Sequence, residues 1–580
     1  MLELNDVSLQ VGSGVEEAVL LSEITATLPQ AHFAAVLGPS GCGKSTLLKV
    51  IAGLIEHTMG RVKWDGRDLA EEGDLDPHEI GYVPQFSIAY ERLTVWENVQ
   101  AALRLRVAGL TNDEEIARLD TVLQDVGLSD INDRPVRLLS GGQRRRLALA
   151  LELVSAPHLL LCDEVTSGLD PKAEDEIVKL MHALSRVQPD RARLVINVTH
   201  SLRHLALHDS VLVLYQGQVA YHGSPATLFH YFGVDDPEEL FPRLAARRPE
   251  EWHRSWQKHR SVYYSEAGLD VQPKRLTSAS LTGEPEVGTA APAPWRMPSM
   301  TTQFGVLLAR RWKLFLRDRG QLVLQLALMF GFPILVVLFA LEGLPQLPSP
   351  GGADREGMLT QLMLVAETRE KFVRTGTLIS GLVMFQVVLL ALTGSNNGAR
   401  EIAGERAIFE KEKFAGLRPL AYVGSKAFFL GFLVLAQSIW MTAFVHWIVR
   451  FPGDFISQAG LLIGINAALT SVCLGLSSIL RTPEQASLVS IYLVGFQLPL
   501  SGAVLALPAW LAPVARPFIA SYWSWSGFVD TLRDYRYYEA VKLVTETRLS
   551  PVSLCAWFLI CHVLVGLVMA VVGCKASRWE

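Results

Sequence analysis

The sequence predicts an α/β P-loop domain followed by an all-α membrane domain of six spans. Three observations predict it. Short apolar runs alternate with helical patterns through the first 260 residues, one Gly-rich loop sits between such a run and a helix, and long apolar segments are confined to residues 321–574. Half of the 580 residues are apolar and 19% are charged, with a mean hydropathy of +0.25. The chain is too long for one core and too apolar for an ordinary soluble enzyme. A net charge of -5 gives no hint of a nucleic-acid partner, and none is expected. The six cysteines form no CxxC pair, which disfavours a zinc site, and all fall in the first domain or in apolar segments, so a disulfide framework is not indicated. Met1-Leu2-Glu3-Leu4-Asn5-Asp6 lacks the basic start and apolar core of a secretory signal, so the first domain is expected in the cytosol.

Residues 2–11 alternate like a strand, and 33–37 form a buried strand ending at Gly38. A helical stretch follows from Lys44, and further strand-like runs occupy 159–163, 194–198 and 211–215. This alternation predicts a largely parallel sheet, with Gln216-Gly217-Gln218 as a closing hairpin turn. The first domain is expected over 1–235. A charged helical extension and a Pro/Ser/Thr/Gly-rich flexible linker fill 236–300. An amphipathic helix at 301–320 carries Arg310, Arg311, Lys313, Arg317 and Arg319. A basic amphipathic helix before an apolar run suits a membrane surface, a plain surface helix being the alternative.

The membrane domain, 321–580, holds apolar segments at about 321–341, 377–394, 428–449, 461–480, 486–505 and 552–574, against the roughly 20 residues a span needs. The 395–427 loop carries Arg400, Arg406, Lys411, Lys413, Arg418 and Lys426, and the tail carries Lys575 and Arg578. Basic loops lie on the cytoplasmic side, which puts the first domain and both termini there. The loops at 345–376 and 506–551 are expected outside.

Chemistry concentrates in the first domain. Gly38-Pro39-Ser40-Gly41-Cys42-Gly43-Lys44-Ser45 matches G-x-x-x-x-G-K-[ST] between strand and helix. Backbone N–H groups of such a loop and the helix N-terminus cradle phosphates. Lys44 is expected on the β- and γ-phosphates, Ser45 on Mg²⁺, and Thr46 in the extended cradle. The apolar run 159–163 ends in Asp163 and Glu164. Asp163 is expected to bind Mg²⁺ and Glu164 to act as general base on the attacking water. Ser140-Gly141-Gly142-Gln143, preceded by Leu139, opens a helix and is a second anion-binding device.

Leu139–Gln143 read LSGGQ, and with the P-loop and the paired acids in this order the first domain closely resembles the ABC transporter superfamily. The resemblance implies ATP and Mg²⁺ as cofactors. It implies that Gln85 in GYVPQ is a Q-loop residue sensing the γ-phosphate and Mg²⁺. Ser167-Gly168-Leu169-Asp170 would be the D-loop, and His200 the switch histidine on the γ-phosphate. Two departures stand out: Val165 follows the paired acids where the family usually has Pro, and the adenine-stacking aromatic is replaced by an aliphatic, at about Val11. The family holds each ATP between the Lys44 side of one domain and the Ser140 side of another, which implies a dimer, most simply of two identical chains.

ATPase before permease resembles the G-type (White-like) half-transporters and their bacterial relatives. Glu405, Arg406, Glu412, Tyr422, Ser425 and Lys426 resemble the segment that couples ATPase to spans there. The spans hold few ionisable residues, which argues against an ion path. Gln386, Gln437, His446, Asn466, Gln497 and His562 are expected mainly as interhelical hydrogen-bonders. Phe385, Gln386, Phe496 and Gln497 are the cargo-lining candidates by resemblance, with packing as the plainer reading. The function expected is an ATP-driven exporter or flippase for lipid-like, hydrophobic or amphipathic molecules. The alternative is an ATP-driven mechanical or regulatory membrane protein carrying no cargo. The predicted outer loops lack cysteines and N-x-[ST] sequons, which leans toward a bacterial inner membrane.

Overall fold

The computed structural model describes residues 1–12, 18–73, 75–186, 193–269, 296–341, 343–347, 358–503 and 505–579. It divides into two compact units. The first is Met1–Thr302 with Lys411–Leu417 and Trp579–Glu580; the second is Gln303–Glu410 with Arg418–Arg578.

Among the described residues, the first unit holds two sheets. Strands β1 (Leu2–Val11), β2 (Ala18–Leu28), β4 (Met59–Trp64) and β5 (Arg67–Asp68) form an antiparallel sheet ordered β2-β1-β4-β5. Strands β3 (His32–Leu37), β6 (Ile80–Val83), β7 (Leu159–Asp163), β8 (Leu194–Val198), β9 (Ser210–Tyr215) and β10 (Gln218–Gly223) form the second, ordered β10-β9-β3-β8-β7-β6. All its pairings are parallel except β9–β10, as the strand–helix alternation predicts. Its central strands β3, β7 and β8 are buried along their whole length, which is why they read as continuous apolar runs. Gln216 and Gly217 turn between β9 and β10 with φ of 44° and 79°, the geometry of a two-residue hairpin turn. The antiparallel sheet was not foreseen beyond β1.

Residues beyond 235 continue the first unit. Helix Pro249–Glu266 buries Trp252, Trp256 and Tyr264, and the Tyr264 hydroxyl lies 2.7 Å from His222 Nδ1. Of the linker expected at 270–300, residues 270–295 lie outside the described residues.

The second unit is helical. Among the described residues, five helices are long and apolar enough to cross a membrane: Arg319–Val337, one within Val365–Phe414, Pro419–Val449, Phe455–Ile479 and Val552–Ala576. The fifth of the six expected spans is revised in length. Helix Pro483–Leu500 has 18 residues, carries Pro499 inside its last turn, and falls outside that group. The second segment is also revised. It lies within one 41-residue helix, Met358–Gly398, about 60 Å long at 1.5 Å per residue, twice the hydrocarbon thickness. Its first turns therefore replace part of the loop expected at 345–376. Helices Phe455–Ile479 and Val552–Ala576 cross closely at Gly566, where a Cβ would lie 2.3 Å from the Ser471 carbonyl carbon. Such small-residue crossings are how apolar helices associate in lipid.

The region 506–551, expected as an outer loop, contains helix Ala520–Asp530, every residue of which is buried. Gln497 Oε1 accepts from Ser521 N at 3.0 Å, Ser524 Oγ donates to Leu461 O at 3.1 Å, and Trp525 Nε1 donates to Ser380 Oγ at 3.3 Å. Eleven residues with four interspersed hydroxyls and amides' partners elsewhere in the chain are too short and too polar to read as a span.

Candidate active site

The P-loop leaves β3 and enters helix Lys44–Ile51. At its start a Cβ on Gly38 would lie 2.3 Å from Leu214 O, and φ there is +152°, so only glycine fits. Gly217 ties the loop to β2: its N–H donates to Cys42 O at 3.0 Å and its carbonyl accepts from Ser22 N at 2.8 Å. Ser40, Gly41, Gly43, Lys44, Ser45 and Thr46 line a cavity of about 460 Å³; Gly38, Pro39 and Cys42 shape the loop behind it. The Lys44 ammonium donates to Gly38 O and Pro39 O, each at 2.9 Å.

Of the two acids, Glu164 lines the cavity directly and Asp163 adjoins it through Ser45. Ser45 Oγ donates to Asp163 Oδ1 at 2.8 Å, and the Tyr82 hydroxyl donates to Asp163 Oδ2 at 3.1 Å. Burial pushes the Asp163 carboxyl above its ordinary value, partly offset by those two hydrogen bonds. A hydroxyl and a carboxylate side by side are hard oxygen donors that suit Mg²⁺. Glu164 adopts φ +48°, which turns its side chain out of the strand. Its carboxylate accepts from Gln85 Nε2 at 2.9 Å and meets His200 Nε2 at 2.5 Å. The structure thus groups Gln85, Glu164 and His200, and separately Ser45 and Asp163. The Gln85 amide is tied to Glu164 rather than to the Ser45–Asp163 pair.

Ser140 caps helix Gly141–Leu153 in a capping box with Gln143. None of Ser140, Gly141, Gly142 and Gln143 lines the P-loop cavity. Gly142 instead backs onto Ala173, next to Asp170, whose carboxylate caps its own helix through Lys172 N (3.1 Å) and Ala173 N (3.0 Å).

Sequence reasoning missed several residues here. Tyr82 on β6 shows no signal beyond an aromatic in a short strand. Arg145 donates to Gln85 O and, at 3.5 Å, to Ser167 O, bridging two loops that the linear order separates. The aliphatic wall of the cavity is Val19 and Leu20 of β2, not Val11, which pairs with Ala18 on the neighbouring strand. Glu152 is buried against Arg106 and Lys411 within the same unit.

In the helical unit, Gln437 and Asn466 do bond between helices. Gln325 Nε2 donates to Asn397 Oδ1 (3.0 Å), Asn397 Nδ2 to Gln437 Oε1 (2.9 Å) and Gln437 Nε2 to Gln325 Oε1 (2.7 Å), while Asn466 Nδ2 adds a contact to Gln437 Oε1 at 3.3 Å. Gln386 and His562 instead contact carbonyls one turn back, Leu382 O and Phe558 O. Gln386 and Gln497 are buried, whereas Phe496 is exposed and Phe385 lines an apolar cavity of about 350 Å³ with Phe339 and Leu382. Lys426 Nζ reaches Glu405 Oε2 (2.6 Å) and Glu401 Oε1 (3.0 Å), and Arg311 holds both Glu401 oxygens. Arg406 caps the end of helix Phe455–Ile479 through Ser478 O (2.6 Å) and Leu480 O (2.8 Å).

Residues 21–167 match the family described as "ABC transporter", and residues 302–529 match "ABC-2 type transporter". The chain is similar to the ABC transporter ATP-binding/permease protein Rv1747 of Mycobacterium tuberculosis, 29% identical over 525 residues. That match covers 87% of this chain and 56% of the relative's length. It is 34% identical over 268 residues to the maltose/maltodextrin import ATP-binding protein MalK of Yersinia pestis, 44% of this chain and 70% of that one. It is 34% identical over 225 residues to the ABC transporter G family member STR2 of Petunia hybrida, 38% of this chain and 30% of that one.

Proposed function

The chain belongs to the ABC transporter family, with the ATP-binding type of domain ahead of an ABC-2 type membrane domain, and from that premise we propose that it hydrolyses ATP to move hydrophobic or amphipathic molecules out across a membrane. The observation that carries the reading is the Gln85–Glu164–His200 group together with the Ser45–Asp163 pair, with Glu164 and Ser45 lining the P-loop cavity. In this reading Lys44 and the loop N–H groups bind the β- and γ-phosphates. Ser45, Asp163 and Gln85 would hold Mg²⁺, which when bound neutralises charge developing on the phosphates. Glu164 takes the proton of the attacking water, and Gln85 and His200 orient the carboxylate for it. Val19 and Leu20 would pack on the adenine.

The placement of Ser140–Gln143 away from this cavity supports a dimer in which a second copy supplies that loop. The few ionisable residues in the apolar helices support a cargo without a strong charge, and the apolar cavity at Phe339 and Phe385 is the candidate place for part of it. The integral membrane domain is assigned to a bacterial inner membrane with the ATPase unit in the cytoplasm.

The test is the ATPase rate in lipid nanodiscs, wild type beside Glu164→Gln, across lipids and amphiphiles. A general base contributes about 10²- to 10⁴-fold, so the variant should lose at least a hundredfold while still binding ATP. Normal turnover in Glu164→Gln refutes the assignment of the base. Stimulation of the wild type by one compound class identifies the cargo class.

A further inference from the structure

Tyr82 joins two features that the proposed mechanism leaves unconnected. Its hydroxyl donates to Asp163 Oδ2 at 3.1 Å, on the oxygen opposite the one that Ser45 occupies. Its ring is almost fully buried and is met edge-on by two others of the same compact unit. The Trp579 ring lies 5.1 Å away at 71°, and the Phe414 ring 6.5 Å away at 77°. Those two rings also touch, at 5.9 Å and 63°. Trp579 comes three residues after the apolar helix Val552–Ala576, and Phe414 closes helix Arg406–Phe414. The backbone fixes the inner end of this chain of contacts. β6 runs parallel to β7 with Tyr82 beside Leu161 and Val83 beside Cys162, so Tyr82 cannot follow Asp163 if that carboxylate shifts. The outer end is only half-buried and is held by ring packing.

We infer that Trp579 is a positioning residue for the metal-binding carboxylate, acting through the Tyr82 hydroxyl on Asp163. The inference rests on the reading of Ser45 and Asp163 as the Mg²⁺ site. Edge-to-face rings prefer a narrow range of distances and angles. Loss of the Trp579 ring leaves one side of Tyr82 without a contact, and the phenol can tilt away from the 3.1 Å bond. A hydrogen-bond donor to a ligating carboxylate orients it for the metal, and its removal typically costs about 10- to 100-fold in metal affinity or activity. The indirect loss through Trp579 should be smaller.

The experiment uses the full chain in nanodiscs with Tyr82→Phe, Trp579→Ala, Trp579→Phe and the Tyr82→Phe/Trp579→Ala double variant. Mg²⁺ dependence is read from ADP binding by calorimetry, without turnover, and from ATPase rate at saturating ATP. The Mg²⁺ concentration at half-saturation should rise about tenfold in Tyr82→Phe and roughly three- to tenfold in Trp579→Ala. Trp579→Phe should stay within about twofold of wild type, and the double variant should match Tyr82→Phe, because both changes break one path. A Trp579→Ala protein that melts earlier but keeps wild-type Mg²⁺ dependence overturns the inference, since a purely structural ring would behave so. Additive shifts in the double variant overturn it as well. Absence of any Mg²⁺-dependent ADP binding in the wild type would overturn the site reading itself, and the inference with it.

Discussion

Glu152 sits in the last turn of helix Gly141–Leu153, is 2% exposed, and is held by two cations. Arg106 Nη1 and Nη2 reach its two oxygens at 2.8 and 3.3 Å, and Lys411 Nζ lies 2.8 Å from Oε1. Burial alone would raise the Glu152 carboxyl above its ordinary value, but Arg106 and Lys411 together hold it below. Glu152→Gln keeps the shape and removes the charge, leaving two buried cations, Arg106 and Lys411, facing a neutral amide. Removing one partner of a buried ion pair costs about 3–5 kcal/mol. At about 2–4 °C per kcal/mol for a domain of this size, the first melting transition should fall by roughly 6–20 °C. Lys411→Met leaves the two-point Arg106 contact intact and should cost less than half as much. The pH dependence follows from the sign of the shift. A carboxyl held below its ordinary value contributes stability above that value, and the contribution disappears as pH falls through the lower folded value. The difference between wild type and Glu152→Gln should therefore be constant near neutrality and shrink below the ordinary value of 4.5. Differential scanning fluorimetry of the full chain across pH checks both statements. A Glu152→Gln transition within about 2 °C of wild type at pH 7 refutes the reasoning.

Leu20→Trp should place an aromatic face on the cavity wall now made by Val19 and Leu20. Base stacking is worth about 1 kcal/mol or more, so ATP should bind roughly fivefold tighter by calorimetry, and weaker or unchanged binding would show that the base lies elsewhere. Gln437→Leu should remove three interhelical hydrogen bonds, those that Gln437 makes with Gln325, Asn397 and Asn466. At about 0.6–1.7 kcal/mol per interhelical hydrogen bond in a membrane protein, the helical unit should lose about 2–5 kcal/mol, seen as a lower melting point in detergent. An unchanged melting point would mean that the ring of amides carries no net stability.

The nucleotide-site candidates were legible because each is a contiguous stretch whose backbone geometry is local. Gly38–Ser45 encodes its own loop between a strand and a helix, and Ser140–Gln143 encodes its own helix cap. Asp163 and Glu164 end a strand whose apolar run marks it as central. The same locality made β3, β7, β8 and β9 readable, and failed for β2, β4 and β5, whose antiparallel pairing joins residues far apart in sequence. Tyr82 and Arg145 carried no local signal, since a lone aromatic or arginine acquires meaning only from the group it meets. Helix Ala520–Asp530 was hidden for a related reason. Its length and hydroxyls suit a loop, and its burial depends on partners at Ser380, Leu461 and Gln497.

Legible in the amino-acid order were an α/β domain ahead of apolar helices, the P-loop and its acids, and the absence of fixed charge in most of the membrane segments. Each of these follows from composition, periodicity or a short motif, which need no distant partner. Tertiary structure alone decided which groups the acids face, that Glu152 is a buried charge rather than a surface one, and that Met358–Gly398 runs as a single long helix. It also decided that Trp579 reaches Tyr82. Those facts depend on pairwise distances between residues tens to hundreds of positions apart, and the energy of a buried charge or ring contact is set by that distance and by the exclusion of water around it.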